Sequence, residues 1–227
     1  MSVAIRPRFA GGLPGRLPEG EQLLWQAKPS AASLVRHAFH IRLLVLYFGL
    51  ILLACLVTEI RAGWPAPEIA IAMLHKTGLA LVPLALIVIY AWAIERSTVY
   101  SITSRRVVVS CGIALPMKIN IPFARIDGAG LRRHADGTGD IPLHLGSAEK
   151  MSYFIMWPHA RPWRVARTEP MLRCVPNVQE ATSVLARALS AHAAALSVAA
   201  KLGLEPLTGS ARPEYHPRRF GQAVAAE

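Results

Sequence analysis

The chain has 227 residues, a net charge of +11, and 53% apolar but only 7% aromatic residues. Its mean hydropathy is +0.35 and its isoelectric point about 10.3. A water-soluble domain rarely combines positive hydropathy with so few aromatics, so the excess Ala, Leu, Ile and Val, gathered in two blocks, argues against a purely soluble protein. In a chain with such blocks the basicity points first to anionic lipid, because cytoplasmic flanks of membrane segments collect Lys and Arg.

Residues 1–38 read as a cytoplasmic N-terminal segment. Arg6 and Arg8 are followed by Gly11, Gly12, Pro14, Gly15 and Pro18, where a signal peptide would need an apolar core. A transmembrane hairpin is expected over 39–94. Leu43–Thr58 holds sixteen uncharged residues and Thr77–Ile94 eighteen, and with their flanks they predict helices over about 39–60 and 77–94. Pro83 inside the second should bend it or free a carbonyl, and Tyr90 and Trp92 fit an aromatic belt. The loop 61–76 carries Glu59, Arg61, Glu68 and Lys76 in and around it, which cancel. The chain through Arg42 has six basic and two acidic residues, and the chain after Ile94 seventeen and ten. The excess of Lys and Arg therefore predicts both termini in the cytoplasm and a short periplasmic loop in a bacterial inner (intracytoplasmic) membrane.

From residue 95 to 204 the period falls to two, which predicts a mostly β domain. TVYSIT and RVVVSC read as strands about a Ser104-Arg105 turn. KINIPFARI and Ile126–Leu131 follow, the latter weakened by Gly128 and Gly130. HADGTGD is a turn, DIPLHLG alternates through Ile141, Leu143 and Leu145, and Tyr153, Ile155 and Trp157 do the same. Met171–Val175 is a last short strand. Six or seven short strands with regular turns suit a small barrel or sandwich. A helix over about 177–202 closes the domain, with Asn177 as cap, Glu180 completing a capping box, and Val178, Thr182, Leu185 and Leu189 facing the sheet. Residues 205–227 read as a disordered tail.

A strand meander closed by one helix resembles the pleckstrin-homology (PH) plan. The run Tyr100–Val109 with Gly112 after it resembles bacterial membrane-associated PH-like domains, in which a segment like PEGEQLLWQ precedes a transmembrane hairpin and then the strands. More closely, LPEGEQLLWQAKPS, YSITSRRVV, PFARIDG and PNVQEA resemble the photosynthetic reaction-centre assembly proteins of purple bacteria, over roughly residues 11–205. The fold class implied is an α+β membrane protein, a transmembrane helical hairpin plus a PH-like β-barrel or sandwich with a C-terminal helix. The function implied is a non-enzymatic assembly factor whose client is the reaction centre or its H subunit. Membrane lipid is a second partner. Gly49, Ala54, Gly78 and Ala80 could allow close helix packing with that client or in a homodimer. A lipid-sensing or general membrane module unrelated to photosynthesis is the rival reading.

Candidate interface residues are basic or aromatic. Arg105, Arg106, Lys118, Arg125, Arg132 and Arg133 fall on turns and strand ends, where they could touch anionic headgroups or an acidic partner. Tyr153, Trp157, Arg161, Trp163 and Arg164 belong to a segment mixing aromatics with cations, which suits a lipid interface or a protein hot spot. Solvated surface charge and barrel-closing aromatics are the ordinary alternatives. Nucleic acid would use the same residue types, but a domain tethered to a bilayer disfavours it. No catalytic motif occurs, and Asp127, Asp136 and Asp140 read as turn chemistry. The histidines show no HxxxH or HExxH spacing and the cysteines no CxxC, so neither a metal nor a cofactor is expected. Cys55, Cys111 and Cys174 are expected as free thiols, and His37, His40 and His75 as interfacial polar residues.

Overall fold

The computed structural model describes residues 12–13, 17–113, 115–146, 157–161 and 168–201. The expected strand residues 153–156 and the tail 205–227 lie outside them, as do candidates Tyr153, Trp163 and Arg164.

The first strand, β1 (Leu23–Ala27), precedes the membrane hairpin in sequence and pairs antiparallel with β2 (Val99–Thr103), which follows it. The segment expected to stand apart from the β domain is thus part of its sheet. A sheet edge left unpaired would expose backbone N–H and C=O groups, and pairing Ala27 with Tyr100 and Gln26 with Ser101 satisfies them. β3 (Arg106–Cys111) and β4 (Met117–Pro122) complete an antiparallel sheet in the order β1-β2-β3-β4. A 3-10 turn over Phe123–Arg125 ends β4 earlier than the alternation of KINIPFARI suggests.

β5 (Ile126–Ala129) and β6 (Arg132–Arg133) lie in succession along one edge of β7 (Gly139–Leu145), and β8 (Met171–Val175) pairs with its other edge. The break between β5 and β6 has a local cause. Gly130 donates its N–H to the carbonyl of Pro142 at 2.9 Å, and a Cβ at Gly130 would sit 2.9 Å from the Pro142 ring.

After β1, a short helix α1 (Ala31–Ser33) runs into a π-helical turn, Leu34–Ala38. His40 takes a left-handed backbone (φ 52°) and redirects the chain into α2 (Ile41–Arg61). α3 (Ala66–Ser97) returns through an unbroken helix that includes Pro83. The first helix starts two residues later than expected, because the left-handed His40 separates it from the π-turn. The second is much longer than the uncharged run, and the connection shrinks from the expected 61–76 to 62–65. Charge misled the prediction. Glu68 sits in the first turn of α3, where a carboxylate is favourable, and Lys76 is ion-paired with Glu59 of α2. At 1.5 Å per residue α2 spans about 32 Å and α3 about 48 Å, enough to cross a hydrocarbon core of about 30 Å. Their apolar side chains, such as Leu43, Leu46, Leu50 and Leu79, are exposed, as suits helices solvated by lipid.

The closing helix α4 (Val178–Lys201) begins after Asn177, whose φ of 49° is left-handed. An N-cap sits in the extended region, so the expected cap gives way to a turn in which the Asn177 carbonyl accepts the Glu180 N–H at 2.9 Å. Val178, Ala181, Leu185 and Ala188 are buried and join Tyr100, Ile102, Val107, Val109, Phe123, Ile141, Leu143 and Leu172 in the main core. Val178 and Leu185 face the core as expected and Leu189 packs at its margin, while Thr182 bonds back to the Val178 carbonyl and Ala181 and Ala188 take part in its place. Val178–Val198 is also long and apolar enough to cross a membrane, but its buried stripe is occupied by the barrel core.

Candidate membrane-facing interface

α3 passes directly into the sheet: it ends at Ser97, and Val99 already pairs with Ser110. The start of β2 and the end of β3 therefore mark the end of the sheet that meets the membrane helices. A second core cluster fixes this junction. Leu34, Ala91, Ile94 and Cys174 are buried together, with Val35, Ala38, Phe39 and Tyr90 packed around them. Burying four such groups at roughly 25 cal/mol per Å² disfavours a loosely hinged tether.

The aromatic rim lies at the same level. Trp157 stacks on Tyr90, with ring centroids 5.7 Å apart and planes 17° apart, and Tyr90 also meets Phe39 at 5.7 Å. Phe39 lies two residues before α2, so these three rings mark the depth at which both helices enter the domain. One turn on, the Arg96 guanidinium lies 4.4 Å above the Trp92 ring, a cation–π contact that keeps its charge at the polar boundary.

Trp157 is held there by a buried polar clamp. His159 Nδ1 lies 2.8 Å from the Tyr100 hydroxyl and Nε2 3.2 Å from the Thr98 hydroxyl. The Arg173 N–H donates to the Tyr100 hydroxyl at 3.2 Å, and the Arg173 guanidinium donates to the Pro158 carbonyl at 3.1 Å. Since the Tyr100 oxygen accepts from Arg173, its proton is best directed at Nδ1, which leaves Nε2–H to donate to Thr98. Burial, aided by the Arg173 charge, lowers the His159 pKa to about 4. Burial likewise raises that of Tyr100. Both groups are therefore neutral near pH 7.

A second element starts from the same end of the sheet as the helices. Beyond Cys111, level with Thr98, the β3–β4 loop carries Ile113 (52% exposed) and Leu115 (78% exposed). Gly112 allows this excursion. Its φ is 124°, and a Cβ would lie 1.9 Å from the Leu115 carbonyl oxygen, which no L side chain tolerates. Exposed apolar side chains at a loop tip beside membrane helices favour contact with the headgroup and acyl boundary.

The candidate residues divide accordingly. Arg106 is not free to bind: its guanidinium makes a bidentate pair with Glu21, both contacts 2.8 Å, and ties the N-terminal segment to β3. Lys118 donates to the Leu13 carbonyl at 2.8 Å, and Arg161 to Glu169 at 2.8 Å. Arg105 and Arg125 lie at the opposite end of the sheet from the helices, where the Phe123 N–H bonds the Arg105 carbonyl, so one patch does not contain all the cations. Arg132 and Arg133 are exposed on β6, whose following turn meets α1 through a Thr138–Ser33 hydroxyl pair at 2.6 Å. Among the described candidates, Trp157 is the one on the aromatic rim. Sequence reasoning missed Ile113 and Leu115, although apolar residues where a turn should be polar were the available signal. It also missed the His159 clamp, which depends on strands far apart in sequence.

Comparison with known proteins adds two findings. Residues 43–191 match the family described as Bacterial PH domain. The chain is 35% identical over 184 residues to a Rhodobacter capsulatus protein named as an uncharacterized 23.7 kDa protein in the puhA 5' region, covering 79% of this chain and 85% of that one. No solved structure matches.

Proposed function

The chain belongs to the bacterial PH domain family, and from that premise we propose that it is a non-enzymatic, membrane-bound assembly factor for the photosynthetic reaction centre. The hairpin holds the PH-like domain at the cytoplasmic face with both termini inside. The domain then engages a nascent reaction-centre subunit, the H subunit included, by protein–protein contacts. The observation that carries this reading is the packed junction of Leu34, Ala91, Ile94 and Cys174, which fixes the domain's orientation on its anchor. A fixed orientation presents the same outer surface to every client diffusing in the bilayer, and tethering raises effective concentration so that a weak contact suffices. The photosynthetic assignment is supported by the resemblance to reaction-centre assembly proteins and by a relative named for the puhA 5' region.

Deletion of the gene followed by absorption spectroscopy of membranes tests the proposal. The expected result is fewer reaction centres with pigment synthesis preserved. Unchanged reaction-centre levels and unchanged growth in light would overturn it.

A lipid-binding module unrelated to photosynthesis is the second reading, favoured by the exposed Ile113 and Leu115. The extra quenching of an Ile113→Trp variant over the parent chain, both reconstituted with brominated lipids, reports loop immersion. Such extra quenching with intact reaction-centre levels in the deletion strain would favour this second reading.

A further inference from the structure

At the junction end of the second sheet, three neighbouring strands bring together groups that the sequence keeps far apart. His134 follows β6, Asp140 opens β7 and Cys174 lies near the end of β8. One ligand atom from each residue lies within 4.8 Å of the other two. From this convergence we propose that His134, Asp140 and Cys174 form a binding site for a zinc-type divalent transition-metal ion.

Burial and hydrogen bonding make this more than proximity. The His134 side chain is 6% exposed and that of Asp140 8%, with His134 Nε2 3.3 Å from Asp140 Oδ2. Yet His134 Nε2 is enclosed and makes no hydrogen bond. The two observations agree once direction is considered: the distance is short, but the nitrogen is not aligned to donate to the carboxylate. A buried polar atom left in that state calls for a partner, and a cation bound by both atoms supplies one.

The surrounding groups hold the three side chains in place. Asp140 Oδ1 accepts the Cys174 N–H at 2.9 Å, which leaves Oδ2 as the ligating oxygen. His37 stacks on the His134 ring, centroids 4.0 Å apart and planes 5° apart, and its Nε2 lies 3.4 Å from Asp136. The imidazole plane of His134 is therefore set from outside the ligand set.

Ligand chemistry selects the ion. Sulfur, imidazole nitrogen and one carboxylate oxygen suit Zn²⁺ or Co²⁺, whereas Mg²⁺ and Ca²⁺ prefer oxygen alone. Three protein ligands leave a fourth position for water. The bound ion would fasten the β6–β7 turn to β8 directly beside Leu34–Ala38, the turn that feeds the first membrane helix. This inference does not rest on the photosynthetic reading.

The test uses the full chain in detergent, carrying a histidine-free affinity tag, stripped with a chelator and titrated with Zn²⁺ and then with Co²⁺. The expected result is one Zn²⁺ per chain, higher thermal stability on loading, and a thiolate-to-cobalt charge-transfer band. Cys174→Ala should abolish the band, His134→Ala should weaken metal affinity at least tenfold, and Asp136→Asn should retain both. Failure of the unmodified chain to take up Zn²⁺, or Co²⁺ uptake without a thiolate band, would overturn the site. The wild-type titration decides the matter even where a variant fails to fold.

Discussion

Acid should loosen the clamp that holds Trp157. His159 is buried and neutral, with its pKa lowered from 6.5 to about 4 chiefly by desolvation and secondarily by the Arg173 charge. In the unfolded chain it titrates near the ordinary value, so between the two values the unfolded state binds more protons. Stability therefore rises with pH across that window. It is fully present above about 6.5 and lost as pH falls toward 4. The separation of the two values corresponds to about 3 kcal/mol in full, of which about 2 kcal/mol is already lost at about pH 5. The perturbation is His159→Gln, which keeps an acceptor for Tyr100 and a donor for Thr98 but cannot take a proton. Urea unfolding of the full chain in mild detergent, followed by tryptophan fluorescence at about pH 7.5 and about pH 5, gives the comparison. The parent should lose about 2 kcal/mol more than the variant over this interval. Equal losses in the two proteins would refute the buried neutral imidazole and its role in seating Trp157.

The Arg106–Glu21 pair should behave as a buried ion pair on the Glu21 side. Arg106→Gln should cost about 2 to 4 kcal/mol by stranding the carboxylate, and adding Glu21→Gln should recover part of it in chemical denaturation. Leu185→Ala removes a buried side chain from the stripe of α4 that closes the barrel, and should cost about 2 to 4 kcal/mol in the same assay. For topology, Gly63→Cys in the short connection should react with a membrane-impermeant maleimide added to spheroplasts, and Ser104→Cys only after lysis. The reverse pattern would invert the orientation.

The sequence by itself determined the local elements. Uncharged runs marked the two membrane helices, and alternation marked β2, β3 and the strand Met171–Val175, because period and hydropathy are properties of contiguous residues. The placement of charge misled at helix ends. Lys76 and Glu68 read as loop residues, yet one is paired with Glu59 and the other sits where the helix dipole favours it. A lone segment also cannot announce its partner: β1 is short and separated from β2 by the whole hairpin, so its place in the sheet became visible only with the ladder itself.

Tertiary structure decided which side chains meet. Arg106 looked like an interface cation and is bound to Glu21, while Tyr90 and Trp157, separated in sequence by β2 through β7, form one stack. His134, Asp140 and Cys174 carry no spacing that signals a site, because their approach comes from strand order and not from a helical or turn repeat. The physical reason is common to all three. Hydropathy and propensity act along the chain, whereas ion pairs, ring stacks and ligand clusters depend on distances across it, which are fixed only when β1 joins β2 and β8 joins β7.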